Sequence, residues 1–276
     1  MYEQHWGLKR LPFRNVPEPE FFYRGSSQAA ALLKLRYLVE NRLHAGMLLG
    51  GTGIGKSCLV SLLATELPES CGPTVHMVFP RLSAPELLAW LATELGAEET
   101  DVACGQDSLD RTLRRIERQL VSLTLRESRN LIVIDEAHLI EDPQVLQALY
   151  LLTNFADRSD IDLSLLLVGD WPFASRVERM GSFDDRIAVR SVLSPLSSEE
   201  CERYLTHRLE AAGARKVIFD ESAIQAVFEL TGGVPRRINR LCDLSLLVGF
   251  ADGRHHLSAR HIETVAGELM VSSAAA

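Results

Sequence analysis

The run Gly50-Gly51-Thr52-Gly53-Ile54-Gly55-Lys56-Ser57 holds the residue types that grip phosphate, at the spacing that gripping requires. Every fixed position of the pattern G-x-x-x-x-G-K-[ST] is filled. An apolar stretch, Met47-Leu48-Leu49, reads as a strand before it. Cys58-Leu59-Val60-Ser61-Leu62-Leu63-Ala64 reads as a helix after it. Glycines let backbone N–H groups turn inward toward phosphate oxygens, and the helix N-terminus adds partial positive charge. Lys56 would reach the β- and γ-phosphates, and the Ser57 hydroxyl would hold magnesium. Gly50, Gly51, Thr52, Gly53, Ile54, Gly55, Lys56, Ser57 and Cys58 are therefore the candidate nucleotide-binding residues. A glycine-rich turn with an incidental lysine does not account for strand, loop and helix in succession.

A second group supplies acids. Asn130-Leu131-Ile132-Val133-Ile134-Asp135-Glu136 is an apolar run ending in two carboxylates. Such a run reads as a strand buried on both faces of a parallel sheet. Ligands of open α/β sheets bind at the carboxyl ends of the strands, so Asp135 and Glu136 would sit where phosphates sit. Asp135 would hold magnesium, directly or through water. Glu136 would orient and activate the attacking water. Alone, two acids at a strand end are ordinary solvated residues; beside the glycine loop they become a hydrolytic pair.

These groups need elements to position them. Helical spacing predicts helices over Ala29 to Arg42, Pro85 to Leu95 and Gln144 to Thr153. Leu109, Leu113, Ile116, Leu120 and Leu123 mark another, capped by Asp107 or Ser108, after a polar loop from Glu98 to Gln106. Thr74 to Phe79 and Leu163 to Gly169 read as further strands. Alternating strands and helices predict a parallel sheet with helices on both faces. After Pro195 only helices follow. Ser197-x-x-Glu200 is a capping box, Asp220 caps the next helix, Gly232-Gly233 ends it, Pro235 begins a third and Ser258 caps a last. Residues 1–194 thus form an α/β core and 195–276 an all-helical lid. Residues 1–24 are a strap rich in proline and aromatics, expected to pack on the domain or on a neighbouring subunit.

Composition limits the alternatives. The chain has 276 residues, 46% hydrophobic and 24% charged, enough to bury a core and too apolar for disorder. A net charge of −8 argues against a non-specific grip on nucleic acid by the whole surface, though not against a local basic patch. The five cysteines form no C-x-x-C pair and the eight histidines no H-E-x-x-H, which predicts neither a disulfide framework nor a zinc site. No stretch has the length of a bilayer span and the N-terminus lacks the pattern of a secretory signal, so a cytoplasmic protein is expected.

A P-loop core followed by a helical lid resembles the AAA+ ATPases. The closer resemblance is to the ExeA-like ATPases, also called general secretion pathway protein A, and it runs almost end to end. It rests on Tyr2-x-x-x-Trp6-Gly7-Leu8, Pro12-Phe13 and Pro17-x-Pro19-x-Phe21-Phe22-Tyr23. Asp135-Glu136-Ala137-His138 stands where the family usually has D-E-A-Q. Leu151-Leu152-Thr153-Asn154-Phe155, Leu167-Val168-Gly169, Asp185-Arg186-Ile187, Pro195-Leu196 and Gly232-Gly233-Val234-Pro235-Arg236-Arg237-Ile238-Asn239 follow in family order.

The resemblance implies three further roles. Arg186 stands where AAA+ proteins place the arginine finger that reaches a neighbouring subunit's nucleotide. Arg236 matches the sensor-2 arginine of the lid, and Asp170 the sensor-1 position, where the family usually has glutamine. Phe79-Pro80 replaces the Asn-Pro with which relatives often restrain the catalytic glutamate. Longer relatives continue into a membrane span and a peptidoglycan-binding module; neither is present up to residue 276, and assembly of a cell-wall secretion pore is not expected of this chain.

The expected protein is an AAA+ ATPase that binds ATP between core and lid and hydrolyses it with magnesium. It would work as a homo-oligomer, ring or filament, on a protein or DNA partner. The alternative is a slow-hydrolysing, nucleotide-gated DNA-binding scaffold of the transposition-helper type, using Arg236, Arg237 and Arg240. A P-loop kinase fits less well, because the acidic pair and the helical lid suit hydrolysis.

Overall fold

Short apolar runs form the strands of one parallel sheet: β1 (Ala45–Leu49), β2 (Thr74–Met77), β3 (Asn130–Ile134), β4 (Leu163–Gly169) and β5 (Ile187–Val192). The computed structural model describes residues 1–68, 70–72, 74–78, 80–97 and 109–274, with side chains to residue 269. The strand order is β2-β3-β4-β1-β5, and every neighbouring pair is parallel. Strands β1, β3 and β4 are buried at each position, as a sheet covered on both faces requires. Strand β5 lies at the edge and alternates, with Ile187, Val189 and Ser191 buried and Ala188, Arg190 and Val192 exposed. Apolar runs predict the other four strands but not this one. Arg190 and Ser191 interrupt its run, and a six-residue alternation is a weak signal.

The chain divides into two compact units. The sheet unit comprises Ala30–Gly51 and Leu63–Leu193. The other comprises Met1–Ala29, Thr52–Leu62 and the chain from Ser194.

In the helical unit, α1 (Glu3–Trp6) opens the strap. Helix α2 (Ser26–Glu40) begins in this unit and continues in the sheet unit. Helix α3 (Lys56–Glu66) follows the glycine loop and likewise begins in this unit and continues in the sheet unit.

In the sheet unit, α4 (Ala84–Glu94) starts at a Ser83–Glu86 capping box with Pro85 in its first turn, and buries Leu87, Leu88, Leu91 and Ala92. Helix α5 (Leu109–Leu125) buries Ile116, Leu120 and Leu123, whereas Leu109 at its first residue is exposed. The caps predicted at Asp107 or Ser108, and the loop before them, lie outside the described residues. Asp142 caps α6 (Pro143–Thr153), accepting the Gln144 N–H at 2.8 Å. Helices α7 (Trp171–Glu178) and α8 (Gly181–Asp184) set Phe173 and Phe183 in the core with no measurable exposure. Each such side chain stabilises by roughly 1.5–3 kcal/mol.

The helical unit adds α9 (Ser198–Ala211), α10 (Glu221–Thr231), α11 (Pro235–Ala251) and α12 (Ala259–Ala274). The Ser197–Glu200 capping box and the Asp220 cap stand as predicted, and Gly232 closes α10 in the left-handed conformation. The strap, which composition groups with the core, shares a hydrophobic cluster with these helices through Tyr2, Trp6, Leu8, Phe13 and Phe21. Trp6 donates Nε1–H to the Leu246 carbonyl at 2.9 Å. Arg208 of α9 is buried and donates to three strap carbonyls, those of Pro12, Phe21 and Arg14, at 2.6, 3.2 and 2.7 Å. Burial lowers its pKa, and those three acceptors are what hold the charge there.

Candidate functional site

The glycine loop leaves β1 and opens α3. Gly53 and Gly55 take φ of +81° and +98°, which L side chains rarely adopt. A Cβ built on Gly51 or Gly55 meets nothing within 4 Å, so space stands open over the loop. Ile54 is buried, Lys56 is 7% exposed, Thr52 and Ser57 are exposed, and Cys58 is intermediate. An open loop with a lysine and a hydroxyl at the head of a helix fits a magnesium-bound polyphosphate in donor chemistry.

Gly53 also meets the start of α11. Its carbonyl accepts the Arg236 backbone N–H at 3.0 Å, and a Cβ on Gly53 would fall 2.8 Å from the Arg236 Cβ. The turn before α11 is fixed in the same unit. Gly233 (φ +70°) accepts the Leu196 N–H at 2.9 Å, and a Cβ there would lie 2.0 Å from the Leu196 carbonyl oxygen. The backbone of Arg236 is thus held in place while its side chain is exposed. Nearby, the Tyr204 hydroxyl donates to Asn239 Oδ1 at 2.6 Å, and Asn239 Nδ2 donates to strap Asn15 Oδ1 at 2.8 Å. Burial pushes the Tyr204 phenol up to about 12, with a smaller upward push from Cys58.

In the sheet unit the acids stand at the carboxyl end of β3. Asp135 has no measurable exposure, its N–H bonds to the Met77 carbonyl at 2.7 Å, and its Oδ1 accepts the Glu136 N–H at 2.8 Å. Its Oδ2 is 3.5 Å from His76 Nε2. Glu136 adopts φ +50° and ψ +35°, left-handed backbone on a residue with a side chain. Such strain gathers where a side chain must be aimed. Glu136 Oε2 lies 3.3 Å from His138 Nδ1. At the neighbouring strand end, the Gly50 N–H bonds to the Gly169 carbonyl at 3.2 Å, which sets Asp170 beside the first residue of the glycine loop. Asp170 Oδ1 accepts the Phe173 N–H at 3.1 Å and so caps α7. Phe79 lies outside the described residues.

Arg186 is at the other end of the sheet. It precedes β5, whose first residue Ile187 pairs with Ala45 at the start of β1. Its Nη2 donates to Asp157 at 2.7 Å, its Nη1 to the Thr153 carbonyl at 3.3 Å, and its guanidinium lies 5.7 Å from the Tyr150 ring centre. The Arg186 bond holds the Asp157 carboxyl below the usual range. The structure therefore brings Gly50, Asp135, Glu136 and Asp170 to the carboxyl end of the sheet and leaves Arg186 at the amino end of β5, a strand's length away, roughly 17–20 Å. Neither Asp157 nor Arg176, which reaches the turn after Glu136, carries a sequence signal of its own.

An AAA domain family matches residues 42–177. General secretion pathway protein A of Aeromonas hydrophila is 30% identical over 273 residues, which is 98% of this chain and 48% of that protein, so the chain spans about half of that relative's length. Among solved structures, the Aeropyrum pernix ORC2 protein with ADPNP and ADP is similar at a TM-score of 0.70 and 20% identity, covering 94% of this chain and 71% of that one. The Aeropyrum pernix ORC1 protein in complex with DNA is similar at 0.63 and 18%, covering 88% and 65%. At these identities the structures speak for the fold alone. Among the described residues no helix is long and apolar enough to cross a membrane. With the parallel sheet, the glycine loop and the C-terminal helices already in view, the chain has the fold of the AAA+ P-loop proteins, carries an AAA domain over residues 42–177 and is similar along nearly its whole length to general secretion pathway protein A.

Proposed function

We propose that this protein binds and hydrolyses Mg-ATP as a cytoplasmic homo-oligomer and uses the cycle to remodel or assemble a protein or DNA partner. Lys56 and the loop amides neutralise the phosphates, and Ser57 and Asp135 hold magnesium. Magnesium, when bound, neutralises charge on the phosphate oxygens. Glu136 orients the attacking water and takes its proton. Arg236 senses the γ-phosphate, and Asp170 reports from the end of β4.

What carries the oligomeric reading is the placement of Arg186. It shares a sheet with Asp135 and Glu136 but stands at the opposite end, beyond reach of its own chain's phosphates. An arginine finger there serves a second copy. The solved ORC2 neighbour holds ADPNP and ADP, which supports an adenine nucleotide as ligand.

The second reading, a slow-hydrolysing DNA-binding scaffold, is favoured by exposed Arg236, Arg237 and Arg240 on α11 and by the DNA complex of the ORC1 neighbour. Particle size and ATP turnover, measured together with and without ATP and with and without DNA, separate the two. ATP-dependent assembly with steady turnover independent of DNA supports the remodelling ATPase. ATP-dependent DNA binding that weakens steeply with salt, with little turnover, supports the scaffold. No binding of ATP sinks both.

A further inference from the structure

We infer that His138 positions the Glu136 carboxylate, and that Arg176 holds His138 in place to do so. The inference rests on the role of Glu136 proposed above and assigns what aims that side chain. Immediately after Glu136 the chain makes a single 3-10 turn, Ala137–Leu139, with Ala137 sealed in the core. This turn brings the His138 ring back toward Glu136, with Nδ1 3.3 Å from Oε2. Nδ1 is buried and has no hydrogen-bond partner among the described residues, although the side chain as a whole is 30% exposed. A buried ring nitrogen facing a carboxylate at that distance is one small rotation from donating to it. Hydrogen bonds in resting active sites are often long and tighten when substrate arrives.

The turn itself is clamped from α7. Arg176 donates Nη2–H to the His138 carbonyl at 2.7 Å and Nη1–H to the Ile140 carbonyl. One planar fork thereby spans the turn, a geometry lysine does not reproduce. Arg176 is seated in its turn, its guanidinium 5.4 Å from the ring centre of fully buried Phe173. Asp170 caps the same helix at the strand end. Backbone strain at Glu136 fixes where its side chain leaves the chain; the imidazole fixes where the carboxylate ends. A neutral His138 with its proton on Nδ1 would bind one carboxylate oxygen and leave the other for water.

The test uses the full chain. Losing a hydrogen bond to a charged group should lower kcat for ATP about 10- to 100-fold in His138→Ala. KM and the affinity for a non-hydrolysable ATP analogue should stay within about twofold. His138→Gln, which keeps an N–H donor, should recover most of the loss, and Arg176→Lys should lower kcat while its analogue affinity stays. Nitrogen-15 shifts of the His138 ring supply a readout independent of turnover. The parent should carry the proton on Nδ1, and Glu136→Ala should abolish that preference. His138→Ala turning over at the parental rate overturns the proposal. So does a ring whose tautomer ignores Glu136→Ala. A parent that never hydrolyses ATP defeats the ATPase reading instead, and the ring shifts then decide alone whether His138 holds Glu136.

Discussion

Gly53 and Arg236 are joined backbone to backbone: the glycine carbonyl accepts the arginine N–H at 3.0 Å, with no room between them for a methyl group. The middle of the glycine loop is therefore hydrogen-bonded to the first turn of α11. A change in either segment is felt by the other directly. This link gives a physical basis for an arginine on α11 reporting on what the loop holds.

Alanine at neighbouring glycines should separate loop geometry from loop contact. Gly51→Ala places its methyl in open space at ordinary φ and should leave folding within about 0.5 kcal/mol of the parent. Gly53→Ala must take φ +81° and push against Arg236, costing about 1–2 kcal/mol of backbone strain before the collision is counted. Denaturant melts of the two variants side by side should show the gap, and ATP-analogue affinity should fall more for Gly53→Ala.

Lys56→Ala should abolish tight ATP binding while the fold survives. The lysine supplies the charge that faces the β- and γ-phosphates in the proposed site. Calorimetric titration with an ATP analogue, beside circular dichroism of the same sample, checks both halves. Normal affinity in this variant would remove the phosphate role from the loop.

Position 136 should show activity set against stability. The residue sits at φ +50°, where glycine is at ease and alanine is not. Glu136→Gly should be more stable than Glu136→Ala by about 1 kcal/mol, and both should be inactive. Glu136→Gln keeps the backbone cost and the binding chemistry but loses the activating carboxylate, so it should trap an ATP-bound assembly. Equal stability of the glycine and alanine variants would mean that the strain is relieved in solution.

Arg186→Ala should bind ATP as an isolated subunit yet stop turnover in the assembly. An arginine supplied in trans is typically worth about 10³–10⁵ in rate. Mixed with Glu136→Gln, it forms interfaces in which an intact glutamate meets an intact arginine, so partial activity should return. If every mixing ratio stays dead while the two proteins co-assemble, the finger lies elsewhere.

Arg208→Met should free the strap. Three carbonyl acceptors, those of Pro12, Arg14 and Phe21, would lose their donor inside the protein. The cost should be on the order of 2–4 kcal/mol. Limited proteolysis should then cut within the first 24 residues well before it cuts the helices, whereas the parent resists.

Sequence alone determined whatever contiguous residues determine. The glycine loop was legible as a turn from strand to helix because its glycines, lysine and serine stand in one unbroken run between two apolar segments. The place of Asp135 and Glu136 at the carboxyl end of β3 was legible because a fully buried strand must give way to polar residues where it ends. The capping boxes and the Asp220 cap were legible for the same local reason. Tertiary structure decided the rest, because it depends on which distant segments meet. Strand β5 is a strand because β1 offers it a partner; its own alternation is too short to announce it. The strap lies on α9 to α11 because a buried guanidinium there needs its carbonyls. His138 and Arg176 belong beside Glu136 only once α7 has packed against the turn after β3. Arg186 stands at the opposite end of the sheet from its own chain's acids because β5 pairs parallel to β1, and the pairing of distant strands is something no local pattern of residues encodes.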